Sequence, residues 1–479
     1  MRPVLPDGIV AVVKHDCPTC VLVAPVLGQL DSGTVALTVY SQDDPSFPGS
    51  VHAVVDDTSL EVSYHHGIET VPTLIRVDAG EEVDRTVGWD RARWEDFTGI
   101  DDLGAGLPEY RPGCGSLSVD PARVDELRAR FEAGGLRSRR VAIGELEDEL
   151  EALFDRGWTD GLPVVPPTEG RVLRMLEGTT RDPGDVVAVV PPDLVDCTVE
   201  KVAINAVMAG CRPEYLPMVI AAVEAACTDE FNMHGLLATT YFSGPVVIVN
   251  GPLSRAIGMN SGTNAFGQGN RANATIGRAL QLVVRNVGGG VPGGIDRATL
   301  GNPGKYTFCF AEDEDGSPWE SLAVERGFPP EASTVTLFAG EGVRGVVDQL
   351  SREPESLART YASCLRSVAH PKLPLAFDAL LAVTPEHGRV FGEAGWSKAR
   401  LRQELDALLL LDPDEIERGT AGMAEGVPPV FAGLQLPKFR PGGLQLVHVG
   451  GSAGLFSAII GGWVSGDAGS QPVTLEVKP

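Results

Sequence analysis

The chain has 479 residues, 43% of them hydrophobic, with 65 acidic against 39 basic side chains and a net charge of −26. That length is too great for one ordinary core and predicts two or three domains. The acidic balance argues against nucleic acid or an anionic membrane as partner, since both call for basic patches.

Taken in order, the first hundred residues read as β-α-β-α-β-β-α. A Val- and Ile-rich strand spans Gly8 to Lys14, and a helix runs from about Val21 to Leu30. A second strand covers Thr34 to Tyr40, and Ser59 to Tyr64 reads as the end of a helix. A hairpin turns at Ala79-Gly80 between Pro72–Val77 and Glu82–Val87, and a short helix begins at Trp94. Residues 101–120 hold Gly, Pro and Cys114 and read as a linker or functional loop. Asp120-Pro121 is a good helix start for a stripe of Val124, Leu127 and Phe131. Leu146, Leu150, Leu153, Phe154 and Trp158 mark a second amphipathic helix. Beyond it, residues 121–479 form a large glycine-rich α/β or α+β domain, in one lobe or two. Within it Val186–Val190 and Pro245–Val249 are expected as buried strands. Ile276, Leu280, Val283, Val284 and Val287 define a helix stopped by Gly288-Gly289-Gly290, and Leu401, Leu405 and Leu408–Leu411 suggest another. Leu444–Val449 is a strand that turns through Gly450-Gly451-Ser452-Ala453-Gly454 into an apolar segment ending at Trp463.

No run approaches eighteen uninterrupted apolar residues, the length a membrane-spanning helix needs. The short apolar run Ile9–Val13 leads into His15-Asp16 and reads as a strand, not as the core of a secretory signal. Eight cysteines with one close pair suit a reducing cytoplasm and free thiols.

The close pair is Cys17-Pro18-Thr19-Cys20. Two cysteines at this spacing can close a small disulfide and reopen it. Cys17 would stand at the N-terminus of the following helix, where the helix dipole and free N–H groups favour a thiolate, and Cys20 lies one turn on, placed to resolve a mixed disulfide. Lys14 and His15 add positive charge nearby, and Asp16 opposes them. A zinc half-site completed by His65 and His66, or a structural disulfide, is the competing reading.

The run Gly67-Ile68-Glu69-Thr70-Val71-Pro72-Thr73-Leu74-Ile75 resembles the thioredoxin pattern through its cis-proline. Gly80, Arg85 and Gly88-Trp89 fit the same family, and the likeness covers roughly residues 5–100. The first cysteine lacks the family's preceding Trp, Pro-Thr replaces Gly-Pro between the cysteines, and an early strand unit is missing, as in glutaredoxins. The resemblance implies a redox-active Cys17–Cys20 disulfide, with Val71, Pro72 and Thr73 as the platform on which substrate lies.

Arg111-Pro112-Gly113-Cys114-Gly115-Ser116 sets a cysteine between glycines, which allow close backbone approach. The segment resembles the start of the family named for its UGSC motif. Trp158–Thr168, Asn260–Gly262, Gly269–Arg278, Gly395–Lys398 and the turn from Gly450 to Ser457 also resemble that family, spanning about 114–465. The resemblance implies that Cys114 stands at the selenocysteine position. Leu117 replaces the family's second Cys, so no internal dithiol forms there.

Asn260, Asn270, Arg271 and Asn273 around a helix start invite a binding role for a small anion, a carboxylate or phosphate. His234, beside Asp229 and Glu230, invites general acid/base work on a bound substrate. A capped helix with an ordered polar loop, and a structural histidine, are the plainer readings. Glu312-Asp313-Glu314-Asp315 reads as a solvated loop, and no dedicated metal site is expected. Cys197, Cys211, Cys227, Cys309 and Cys364 read as buried small hydrophobes. The resulting expectation is a thiol-dependent oxidoreductase. Its dithiol domain exchanges electrons with Cys114, which acts on a small electrophilic or anionic substrate, and a thiol reductant or a protein disulfide serves as partner. The alternatives are a lyase or hydrolase whose Cys114 the dithiol merely maintains, and a redox sensor or binding protein. Replacing Cys114 by Ser is expected to stop turnover and spare generic protein-disulfide reduction by the dithiol domain.

Overall fold

The structure is a computed structural model and describes residues 2–33, 36–144, 147–416, 429–431 and 433–478. The chain divides into two compact units, Met1–Gly135 and Leu136–Pro479, both of mixed α and β structure. No helix among the described residues is long and apolar enough to cross a membrane.

The strands of the first unit are Gly8–Val13 (β1), Leu37–Ser41 (β2), Val54–Asp56 (β3), Thr70–Val71 (β4), Thr73–Asp78 (β5), Glu81–Val87 (β6), Trp89–Asp90 (β7), Tyr110–Arg111 (β8) and Cys114–Gly115 (β9). Its helices are Pro18–Asp31 (α1), Glu61–His65 (α2), Arg91–Thr98 (α3) and Val124–Glu132 (α4). Five strands make one sheet in the order β3-β2-β1-β5-β6. The central β1 pairs in parallel with β2 and antiparallel with β5. Its apolar run is buried from Ile9 to Val13, as a strand covered on both faces requires. The hairpin β5–β6 turns at Ala79-Gly80, both with positive φ, as expected. The second strand was expected from Thr34; residues 34 and 35 lie outside the described ones, and the strand begins at Leu37.

The first unit runs well past residue 100. β8 pairs with β7, and β9 pairs with β4. The Gln42 amide donates to Ser116 Oγ at 2.7 Å and accepts from Leu117 N–H at 3.1 Å, while Ser118 Oγ donates to the Ile68 carbonyl at 2.6 Å. Tyr64 donates to Glu132 on α4. Residues 101–120, expected to be a linker or loop outside the dithiol domain, are therefore packed into it, with Cys114 among them. Buried side chains reclaim this segment after a stretch whose composition reads only as loop.

In the second unit, Val186–Val190 (β10) and Val195–Thr198 (β11) form a separate antiparallel hairpin. Val186 and Val189 are exposed, so β10 is not the buried strand its composition suggested. The remaining strands are Gly244–Asn250 (β12), Cys309–Ala311 (β13), Thr334–Val347 (β14), Phe377–Val383 (β15), Leu410–Leu411 (β16), Leu436–Pro437 (β17), Leu444–His448 (β18), Phe456–Val464 (β19) and Val473–Glu476 (β20). The main sheet runs β13-β12-β14-β19-β15-β18, and β20 adds to β14. Alternate residues of β15 serve two cores. Leu380 and Ala382 join Val246, Phe310, Phe338, Val447 and Ile460, while Ala379, Leu381 and Val383 meet helix residues Leu357, Tyr361, Phe391 and Leu401 on the other face. The ends of the two edge strands meet, with Asp313 N–H donating to the His448 carbonyl at 2.8 Å. The predicted helix before the triple glycine spans Arg271–Asn286 and packs on helices Val199–Ala209 and Leu216–Ala226. The helix expected around Leu146 to Trp158 is Glu149–Asp155; Leu146 lies outside the described residues.

Candidate active site

Cys17 ends the extended segment after β1 and caps α1: its Sγ accepts from the Cys20 N–H at 3.2 Å. Pro18 opens the helix, where its missing N–H costs nothing. Cys20, one turn on, is fully buried, and both side chains are free thiols. Opposite Cys17 stands the β4 edge. The Val71–Pro72 peptide is cis, and in the thiol form Cys17 directs its Sγ to the Val71 carbonyl at 3.6 Å. Thr73 Oγ1 donates back to the Thr70 carbonyl at 2.6 Å, and the Pro72 carbonyl accepts from Gly88 N–H at 2.8 Å.

Cys114 completes the cluster. In the β4–β9 ladder it lies directly across from Val71, which brings its sulfur to Cys17. Hydrogen bonding from the Cys20 thiol, opposed by burial and helped by the Cys114 thiol and by the backbone N–H groups of Cys20 and Thr19, lowers the Cys17 pKa to about 5. Burial and the hydrogen bond donated to Cys17 push Cys20 strongly upward, and the same two causes raise Cys114 more modestly. At neutral pH the three thiols thus share one negative charge, and it resides on Cys17. Cys17 is 1% exposed, whereas Cys114 is only half-buried.

The β9 strand is held from several sides. Thr19, between the paired cysteines, donates from Oγ1 to the Pro112 carbonyl at 2.7 Å, and Ser116 N–H donates to the Glu69 carbonyl at 2.9 Å. Backbones approach so closely here that a Cβ on Gly113 would strike Thr70 Cγ2 and lie 2.9 Å from the Val71 carbonyl oxygen. The histidines of the zinc reading are occupied elsewhere. His66 bonds to Arg2 and to the Pro3 carbonyl, and His65 packs on Phe131. Among the described residues no group of three or more His, Cys, Asp or Glu is arranged to hold a metal ion.

The candidate binding residues of the second unit are engaged within that unit. Asn270 caps the helix Arg271–Asn286 by accepting from Asn273 N–H, and its amide donates to the Gly258 carbonyl at 2.7 Å. Asn273 exchanges bonds with the Asn260 backbone and donates to the Ala265 carbonyl, while Asn260 accepts from Gly262 N–H and donates to the Thr263 carbonyl. These three amides stitch the loop before the helix. Arg271 donates to the Gly210 carbonyl at 2.9 Å, and His234 is exposed on a short helix. Burial pushes Cys197, Cys211 and Cys227 up to about 12, and it raises Cys309 as well.

Two clusters escaped the sequence reading. Arg278 forms a bidentate pair with Asp160 at 2.8 Å on each bond and also donates to the Pro163 carbonyl. Glu312, expected in a solvated loop, is fully buried. It accepts from Asn250 at 2.8 Å and Leu322 N–H at 2.7 Å and lies 3.6 Å from the buried Lys398. Burial raises its pKa against the nearby Lys398 charge. Long-range charge pairing of this kind leaves no mark in local spacing, and an acidic run looks solvated until its partners are known. Comparison with family models, with curated proteins and with solved structures gives no significant match for this chain.

Proposed function

We propose that residues 1–135 are a thioredoxin-like redox unit and that the protein is a thiol-dependent reductase working through Cys114, Cys17 and Cys20. The supporting observation is the convergence of three thiols around one stabilised thiolate, with the least buried sulfur, Cys114, on the solvent side. The order β3-β2-β1-β5-β6, the cysteine pair capping α1 and the cis-Pro72 opposite it support the thioredoxin-like reading. The UGSC resemblance, which sets Cys114 at a selenocysteine position, agrees with Cys114 as the reactive sulfur.

The chemistry is a two-electron reduction. The Cys114 thiol passes its proton to the Cys17 thiolate as its Sγ bonds to an electrophilic sulfur or other heteroatom of the substrate. The leaving group departs with the electron pair of the broken bond and takes a proton from water. Cys17, deprotonated again, attacks the Cys114 sulfur; a Cys17–Cys114 disulfide forms and the remaining substrate fragment leaves reduced. Cys20 then attacks Cys17, forming the Cys17–Cys20 disulfide, and its proton goes to the departing Cys114 sulfur. An external dithiol supplies the two electrons that reopen this disulfide. The high pKa values of Cys20 and Cys114 suit that last exchange, because each sulfur holds the proton when it is not bonded.

Trapping tests the relay. In Cys20→Ser the mixed disulfide cannot resolve, so oxidation by a small disulfide should leave a Cys17–Cys114 bond that peptide mass mapping recovers as the main cross-link. Recovery of Cys17 and Cys114 unlinked would overturn the relay.

A further inference from the structure

Resting on that redox reading, we propose that β9 is a captive strand that reserves the Cys17/Cys20 pair for Cys114 and restricts substrates to small electrophilic molecules, to the exclusion of protein disulfides. A protein disulfide reaches a buried sulfur carried on backbone, and the economical way for an extended segment to approach is to add as a strand to an open edge. The edge beside Cys17 is β4, and it is taken: Thr70 pairs with Gly115, Val71 with Cys114. The bonds from Ser116 N–H to Glu69 and from Thr19 to Pro112 extend the hold on both sides of Cys114. Gly113 lets β9 approach β4 so closely that no Cβ fits there, and a Cβ on Gly88 would lie 2.9 Å from the Gly113 nitrogen. Cys17, 1% exposed, is thus covered by the chain's own segment, while the half-buried Cys114 remains the sulfur a solute meets. A small molecule with one electrophilic atom needs no edge to pair with. A second polypeptide must first displace β9 and break the contacts that hold it.

Two rates decide the matter: reduction of bis(2-hydroxyethyl) disulfide and reduction of insulin disulfides, each with dithiothreitol as recycling reductant, the full chain as catalyst and the uncatalysed rate subtracted. The wild-type chain should reduce the small disulfide and be close to inactive on insulin. Gly113→Val, which pushes β9 off β4, should raise the insulin rate by about tenfold or more, the factor expected for releasing one or more net hydrogen-bond equivalents. Thr19→Val, which removes the bond to Pro112 without adding bulk at the ladder, should shift the insulin rate the same way and decides the question if Gly113→Val does not fold. Comparable wild-type rates on the two substrates, or an insulin rate unmoved in the variants that fold, would overturn the captive-strand proposal. The trapping result in Cys20→Ser is independent. A recovered Cys17–Cys114 bond together with brisk insulin reduction would defeat this inference and leave the relay standing; an absent cross-link would defeat the relay itself.

Discussion

Cys17 lies in a balance that hydrogen bonding wins. Burial alone would raise its pKa above 9.0, the ordinary value for this group, but donors from Cys20, Cys114 and Thr19 bring it to about 5. Because the folded value is depressed, the unfolded chain binds more protons between the two values, so this group's stabilisation is full above about 9 and is lost as pH falls through about 5. Cys20 and Cys114 have the opposite sign. Both stay protonated in the folded unit, so above the ordinary thiol range the unfolded chain ionises them and stability falls again. Urea unfolding of the reduced protein should therefore show stability rising from pH 5 toward 9 and declining beyond. Ultraviolet thiolate absorbance should titrate with a midpoint near 5. Cys20→Ala should move that midpoint upward by more than Cys114→Ala, since the Cys20 thiol is the larger source of the depression. A titration left near 5 in Cys20→Ala would contradict this account of the charge.

At the level of the strand, β9 depends on the absence of one side chain. A Cβ on Gly113 would meet Thr70 and the Val71 carbonyl, whereas a Cβ on its neighbour Gly115 would find no heavy atom within 4 Å. Gly113→Ala should therefore destabilise the protein by about 1–3 kcal/mol, the usual cost of forced overpacking. Gly115→Ala should stay within about 0.5 kcal/mol, as surface changes generally do. Thermal or urea unfolding compares the pair, and equal effects would show that the close approach of β9 to β4 does not carry the strand. The hairpin β5–β6 and the helix Arg271–Asn286 stand at the other extreme: turn residues with positive φ and a helical apolar stripe specify them locally, and both were expected from the sequence.

The division of the whole chain near residue 135 has its own consequence. Trp89, fully buried, donates from its indole to the Pro108 carbonyl at 2.6 Å, and Arg91 donates to the Gly104 and Leu107 carbonyls. Leu103 is buried in the same core as β1 and α1. A fragment of residues 1–135 should fold alone and keep the depressed Cys17, whereas a fragment ending at residue 100 should lose these partners, expose Trp89 and unfold at lower temperature or aggregate. Tryptophan fluorescence together with thermal unfolding distinguishes the two, and equal stability would place the true boundary near residue 100.

Local chemistry carried a great deal of this protein in readable form. A cysteine that caps a helix, the hairpin glycine and the periodic helix faces all follow from residue type and spacing over a few positions, because backbone dihedrals and side-chain periodicity are decided over that range; the Pro72 segment was expected only through the resemblance to thioredoxin. What required the folded chain was every pairing between distant residues. Cys114 lies 97 positions from Cys17 in a stretch whose glycines and prolines read as a loop, and only the β4–β9 ladder makes it part of the same thiol cluster. Glu312 reads as solvated until Asn250 and Lys398 come to meet it, and Asp160 is one acid among many until Arg278 reaches across. Which groups share a charge, and which sulfur faces solvent, depends on burial and on contacts between segments far apart in the chain, and no window of sequence contains both partners.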